Sequence, residues 1–509
     1  MTMDLPSPRR PFRRFSTRMV LSRRSLLAFA TTGIALILFL ATSADRLSTW
    51  TDANEYYDHW DPHRSQQALV NASSRTSPHP NHRAICEGFP DTSNILLVMK
   101  TGASEAFAKV PTQLITTLKC LPDFLLFSDL NQNIGGYRIH DSLENVLEEV
   151  KDGNTDFDVY RRQKKCLVDV EACNKLGEDT AKEGWKLDKY KFLHVADMAY
   201  KMRPGYDWYV FIEADTYISV PNLVQWLSKL NPRKKLYLGS VAMWGGFPFG
   251  HGGSGYVVSK AGMSSLLKKH PGIANDYDSV SKQESYGDYV FAKAMKEKAG
   301  LDVTQAWPSL NGEKPSTIPF GSRQWCHPII TMHHMNSQEI DEFWNFERAW
   351  NSAPRYRPLL IKDIYHEYLG PKLQAAREDW DNNSNDQHYF DPTSKSQDWT
   401  DKKDRVKDRE KYNAAEKVAH LSAHHCAAAC KSVSRNECFQ WKYYHNLCSF
   451  HREFIMGKPV KRNPDSAKQV VSGWDVEKIL KWINDQGDCG RIHWPEVKPF
   501  RRRARGLGS

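Results

Sequence analysis

Two carboxylates one residue apart, Glu213 and Asp215, close the apolar run Trp208-Tyr-Val-Phe-Ile212. On an extended chain, residues at i and i+2 project from one face, so both acids are aimed together from the end of a buried strand. Paired carboxylate oxygens suit a hard divalent cation, Mn²⁺ or Mg²⁺, and such an ion can bridge a diphosphate. Acid pairs are commonplace on protein surfaces, and the apolar strand that delivers this one sets it apart. A second segment, Gly250-His-Gly-Gly-Ser-Gly-Tyr-Val-Val-Ser-Lys260, follows it. Its glycines permit positive φ and close backbone approach to a ligand. The same residues would also serve a plain turn into the strand Tyr256-Val-Val258.

The elements that must position these groups begin near residue 90. Apolar runs at 95–99, 124–127, 208–212 and 236–238 read as strands. Residues 111–121, 185–200, 222–230 and 288–298 read as helices, and 130–184 as a polar insertion. Strands alternating with helices predict an α/β fold with a mostly parallel sheet covered on both faces. Ligands bind such sheets at the carboxyl ends of strands, which is where the acid pair falls.

Taken in order, four segments resemble the Fringe and core-1 β1,3-galactosyltransferase group, glycosyltransferase family 31. They are Phe211-Ile-Glu-Ala-Asp-Thr-Tyr217, Asn222-Leu-Val-Gln-Trp-Leu227, Leu236-Tyr-Leu-Gly239 and Gly252-Gly-Ser-Gly-Tyr-Val-Val-Ser-Lys260. The resemblance covers roughly residues 92–336. It implies a GT-A nucleotide-sugar-binding fold, a UDP-sugar donor, Mn²⁺, and inversion at the anomeric carbon. Matched residue by residue, Asp215 falls on the metal-binding acid of the family's DxD motif. Glu213 stands where the family has Asp, one methylene longer, so its contact to ribose or metal-bound water is in question. In Ile330-Thr-Met-His-His334 the family's histidine ligand matches His333 best, with His334 as the other choice. Asp288, in Glu284-Ser-Tyr-Gly-Asp-Tyr-Val-Phe291, matches the catalytic carboxylate, against the alternative of a helix cap. Lys189 or Lys191 matches a donor-side lysine. Residues 98–101, Thr101 among them, and Asp129 fall where the family contacts uridine, and Gly252, Gly253, Ser254, Gly255 and Tyr256 where the donor sugar is shaped. The implied activity is transfer of a hexose, of galactose or N-acetylhexosamine type, to a glycan or glycoprotein hydroxyl in β1,3 linkage. The alternative is a non-catalytic lectin-like or scaffold protein on the same fold.

The net charge of +10 invites a nucleic-acid reading, but its distribution opposes it. Seven arginines lie in the first 24 residues and three more at 501–503. No basic stripe or binding motif accompanies them. The first seven precede an uncharged apolar run at 25–44, long enough to span a bilayer. The positive flank predicts a cytosolic N-terminus and a lumenal remainder, hence a single-pass type II protein of the Golgi or endoplasmic reticulum membrane. A cleaved signal peptide is the alternative. The expected layout is a basic tail (1–24), an anchor (25–44), a stem (45–85), the transferase domain (86–370), a charged linker (371–419), a small cysteine-bearing unit (420–490) and a basic tail (491–509).

All ten cysteines follow the apolar run, and an oxidising lumen would make them disulfides. The spacing Cys426-x3-Cys430-x7-Cys438-x9-Cys448 predicts nested pairs, Cys426 with Cys448 and Cys430 with Cys438. Cys86–Cys120 and Cys166–Cys173 are expected as local pairs. Zinc is the competing reading of Cys426-x3-Cys430, and neither the compartment nor the other spacings favour it. Phe439-Gln-Trp441 resembles the PAN/apple module, which binds protein or carbohydrate; the alternative is a structural appendage. Asn71-Ala-Ser and Asn382-Asn-Ser are glycosylation sequons.

Overall fold

The computed structural model describes residues 85–497 apart from 167, 178, 353–356, 392, 394–405 and 407. The expected cytosolic tail, anchor and nearly all of the stem, with Asn71, lie outside the described residues. Among the described residues, no helix is long and apolar enough to cross a membrane.

The architecture is mixed α/β. In chain order its first strands are β1 (Ile95–Lys100), β2 (Phe124–Ser128), β3 (Gln132–Ile134), β4 (Tyr137–Asp141), β5 (Trp208–Glu213), β6 (Tyr217–Ile218) and β7 (Tyr237–Gly239). There follow β8 (Val241–Trp244), β9 (Phe247–Gly250), β10 (Tyr256–Ser259), β11 (Thr304–Gln305) and β12 (Thr331–Met332). The main sheet has eight strands in the order β11-β7-β10-β5-β1-β2-β4-β3. β1 lies parallel to both β2 and β5, and β10 runs antiparallel between β5 and β7.

The central strands read as unbroken apolar runs because both faces are covered. Alternate residues serve opposite cores. Leu96, Val98, Tyr209 and Phe211 pack in one cluster with the helices at Lys191–Met202 and Gly287–Ala299; Ile95, Leu97, Trp208 and Val210 pack in the other with those at Ala106–Ile115 and Val220–Leu227. The principal helices of this part are α1 (Ala106–Ile115), α2 (Thr180–Asp188), α3 (Lys191–Met202), α4 (Val220–Leu227), α5 (Gly287–Ala299) and α6 (Ser337–Asn351).

The structure corrects three element boundaries. Residues 130–184 are not wholly an insertion, since they supply β3 and β4, anchored by buried Ile134 and Ile139. α1 begins ahead of Pro111 and carries it inside the helix. The segment 185–200 is two helices, α2 and α3, rather than one.

The C-terminal unit adds β13 (Ala376–Glu378), β14 (Trp380–Asp381), β15 (Gln387–Phe390), β16 (Gln440–Tyr444), β17 (Leu447–His451), β18 (Lys458–Pro459) and β19 (Val471–Trp474). Its five-stranded sheet has the order β13-β19-β16-β17-β15. Helices α7 (Ala423–Ser432) and α8 (Val476–Gln486) accompany it. Disulfides join Cys426 to Cys448 and Cys430 to Cys438, the nested arrangement, and also Cys86 to Cys120 and Cys166 to Cys173. β13, β14 and β15 all come from the stretch expected to be a solvated linker. Among their side chains, His388 and Tyr389 of β15 are buried.

This unit is not a bead on a string. Phe439, Phe454, Trp474, Ile479 and Trp482 share one hydrophobic cluster with Phe320, Trp325 and Tyr365. The Trp325 and Trp482 rings meet at 5.1 Å, and Cys326 is bonded to Cys489.

Asn382, of the second sequon, lies inside this unit. It is fully buried, and its Nδ2 donates to the carbonyls of Trp441 and Gly473 at 3.1 and 3.3 Å. Its Oδ1 accepts from the backbone and hydroxyl of Ser384. In the folded protein the sequon forms a hydrogen-bonded turn that engages both polar atoms of the Asn382 side chain.

Candidate active site

β5 delivers Glu213 to the edge of the sheet, and the chain turns through Ala214 and Asp215 into β6. Gln113 on α1 pins that turn by donating to the carbonyls of Ala214 and Thr216 at 2.9 and 3.0 Å. β6 pairs antiparallel with β12, Tyr217 opposite Met332, which lays His333 beside Asp215. The Nε2 of His333 lies 3.3 Å from an oxygen of Asp215 and 3.5 Å from one of Glu213.

Asp215, His333 and His334 form a possible metal site, with ligand atoms all within 4.8 Å of one another. One carboxylate with imidazoles is a donor set that first-row divalent ions accept. The other ring nitrogen of His333, Nδ1, is buried without a hydrogen-bond partner. His334 sits at φ 60°, a conformation uncommon for a non-glycine residue and concentrated at functional sites. Both histidines therefore stand at the site, whereas Glu213 is turned partly toward Lys100.

The charge balance keeps both acids ionised. Burial works against the charge on Glu213, but Lys100 and His333 hold it well below the usual carboxylate range. Burial likewise opposes ionised Asp215, and His333 and Lys109 more than offset it. Burial disfavours protonated His333, yet its bonds to Asp215 and Glu213 push it up to about 9. A divalent ion bound here would take the place of that proton.

The Gly-rich turn is clamped between the two halves of this site. Thr216 donates to the carbonyl of Gly253 at 2.8 Å, and Thr331 to that of Ser254 at 2.6 Å. Gly255 takes φ 73°, where other residues are strained. Gly252 donates its N–H to Asp288 Oδ2 at 2.8 Å, and Tyr289 donates to Oδ1 at 2.9 Å. Asp288 thus touches the first turn of α5, as a cap would, and also spans to the turn. Burial pushes its carboxyl up to about 6, against those two hydrogen bonds.

A cavity of about 440 Å³ joins these groups, lined by Glu213, Asp215, Gly253, Asp288, His333 and His334. Lys189 and Lys191 both line it as well. Lys191 is buried, donating to Asp129 at 2.9 Å and to the carbonyl of Thr101 at 3.1 Å. Lys189 pairs instead with Asp156 at 2.9 Å. Thr101 and Asp129 do not reach the cavity wall. Asp129 is spent on Lys191 and on the N–H of Ala103, so here these two residues support the lysine. Tyr256 is also set back from the cavity, stacked on Phe211 at 4.9 Å within the core. Ser254 is buried and bonded to His251, which lines the cavity.

Several site residues carried no motif. Lys100 closes β1 directly opposite Glu213 in the strand register and bonds it at 3.0 Å, with Asp188 at 2.6 Å on its other side. Registering the apolar run at 95–99 against the one at 208–212 is the signal that finds it. Lys109 reaches Asp215 at 3.1 Å from α1. Trp185, 58% exposed, and Tyr286 line the cavity in edge-on contact, and Trp244, 45% exposed, meets Tyr286 edge-on from outside it.

Fold and site together define an α/β protein that gathers acid and histidine ligands at the carboxyl ends of a mostly parallel sheet. Residues 171–306 match the family model described as Fringe-like, so the chain carries a Fringe-like domain of glycosyltransferase family 31. Such a domain fits a glycosyltransferase. The matched segment holds Asp215, the Gly-rich turn and Asp288. His333 and the C-terminal unit lie beyond it.

Proposed function

We propose that the protein is an inverting glycosyltransferase with a GT-A fold, moving a hexose of galactose or N-acetylhexosamine type from a UDP-sugar to a glycan or glycoprotein hydroxyl, in β1,3 linkage. The observation that carries the proposal is the convergence of Asp215, His333 and His334 with the buried Asp288 on one cavity. Asp215 and His333 would hold Mn²⁺ or Mg²⁺, with His334 and Glu213 beside them. Such an ion, when bound, would neutralise charge growing on the departing diphosphate. Lys109 and Lys100 add positive charge along the same edge. Asp288 takes the proton from the acceptor hydroxyl as general base, oriented by the N–H groups of Gly252 and Tyr289. Trp185, Trp244 and Tyr286 offer broad amphipathic faces suited to an acceptor's sugar ring.

The arginine-flanked apolar run supports a type II anchor with the catalytic part in the lumen of the Golgi or endoplasmic reticulum. The core shared between the C-terminal unit and the transferase part favours the structural reading of that PAN/apple-like unit over a separate binding module.

UDP release by the purified lumenal portion tests the reading, with UDP-galactose, UDP-N-acetylglucosamine and UDP-N-acetylgalactosamine as donors and an array of glycan acceptors. Release should require Mn²⁺ or Mg²⁺ and stop on chelation. A protein that binds no UDP in the presence of Mn²⁺ would be the lectin-like or scaffold alternative.

A further inference from the structure

Glu347 is a buried acid with no place in the chemistry above. It projects from α6 into the core, 2% exposed. Its Oε2 accepts from Tyr217 at 2.5 Å, and its Oε1 from Ser219. Burial pushes its carboxyl up to about 7, against those two hydroxyls. A buried carboxyl is costly, and an apolar side chain of similar size would fill the space with less penalty. What the acid adds is a grip on two specific hydroxyls.

Those hydroxyls belong to the chain leaving the acid pair. Tyr217 and Ser219 bracket Ile218 in and just after β6, and β6 pairs with β12, which leads straight into His333. The ribbon is stitched beyond its own pairs by Met335 N–H to the Asp215 carbonyl at 3.0 Å and by Ser219 N–H to the Ile330 carbonyl at 2.8 Å. α6 follows directly on the histidines, opened by a capping box of Asn336 and Glu339. Its far end then returns Glu347 to β6. The path from Asp215 through β6, Glu347, α6 and the histidines back to Asp215 is a closed mechanical circuit.

We propose that Glu347 is a positioning residue of the metal site: by holding Tyr217 and Ser219 from α6, it fixes the separation of Asp215 from His333. This rests on the transferase reading of that site. Residues that orient ligands from outside the coordination sphere change metal affinity by about 10–100-fold when lost.

The test is Mn²⁺ affinity, read as free Mn²⁺ by electron paramagnetic resonance while the purified lumenal portion is titrated in the presence of UDP. Glu347→Leu should weaken Mn²⁺ by about 10–100-fold. Glu347→Gln, which keeps one accepting oxygen, should recover most of the loss. Ile479→Ala, in the same hydrophobic cluster but on α8, is the control for lost stability. It should lower Tm and leave Mn²⁺ affinity unchanged. Tyr217→Phe removes one hydroxyl only, and it reads the same grip should the leucine variant fail to fold. Wild-type Mn²⁺ affinity in Glu347→Leu, or in Tyr217→Phe where that stands in, overturns the assignment. An equal loss of affinity in Ile479→Ala overturns it too. A flat titration of the wild-type protein is a different result: it removes the transferase reading, and this assignment with it.

Discussion

A Cβ built on Gly253 would lie 2.1 Å from the His333 ring. The ring is the bulky, already buried partner, so the turn must be bare where the two meet. The Gly-rich segment thus does more than bend the chain: it makes room for a ligand of the metal site. Gly253→Ala should displace His333 and weaken Mn²⁺ binding by about 10–100-fold, checked by calorimetry with UDP present. Unchanged affinity would show that the ring has slack the structure does not display.

Asp215 and Asp288 should fail in different ways. Asp215→Asn keeps the shape and removes the charge, so Mn²⁺-dependent UDP binding should fall sharply. Asp288→Asn should leave UDP binding intact and lower turnover by about 10²–10⁴-fold, the range of general-base catalysis. Calorimetry and initial rates on both variants separate the roles, because misfolding would damage both properties together.

The pH dependence has a definite sign. A base must be ionised to accept a proton, and burial pushes Asp288 up to about 6. The rate at saturating metal should therefore be lost as pH falls through about 6 and level off above it. Metal binding carries its own dependence. The ion displaces a proton from His333, which is pushed up to about 9, so Mn²⁺ affinity should climb as pH rises toward that value. Measuring rates at several Mn²⁺ concentrations distinguishes the two limbs.

Asn382 should carry no glycan. Endoglycosidase treatment should shorten the wild-type protein and Asn382→Gln equally, while Asn71→Gln should abolish the shift. Asn382→Gln should also destabilise by about 1–3 kcal/mol, since it disturbs donors that satisfy the Trp441 and Gly473 carbonyls. Thermal unfolding of the purified variant checks this.

How far the sequence could be read depended on what each segment buries. β1 and β5 were legible because both of their faces lie in the core, leaving long apolar runs. Asp215 and the Gly-rich turn were legible from residue type and order. β3, β13 and β15 were not, since strands of three or four residues with few buried apolar side chains do not stand out from a charged background. Lys100 lay within the 98–101 stretch, but its pairing with Glu213 became visible only through strand register, and Glu347 only through the return of α6 onto β6. Asn382 shows the converse: its sequon is intact in the sequence, and only the structure shows the side chain buried and hydrogen-bonded.

The Cys326–Cys489 bond spans 163 residues and ties the end of the described chain to the floor of the transferase part. Trp226 reinforces it by donating to the Pro495 carbonyl at 3.2 Å. A ribosome releases the N-terminal side of this pair long before the other exists. Trp325 and its neighbours therefore stay uncovered until Ile479, Trp482 and Cys489 have been delivered. A chain cut short before Cys489 would leave a sticky surface and an unmatched thiol for the cell's quality control to find.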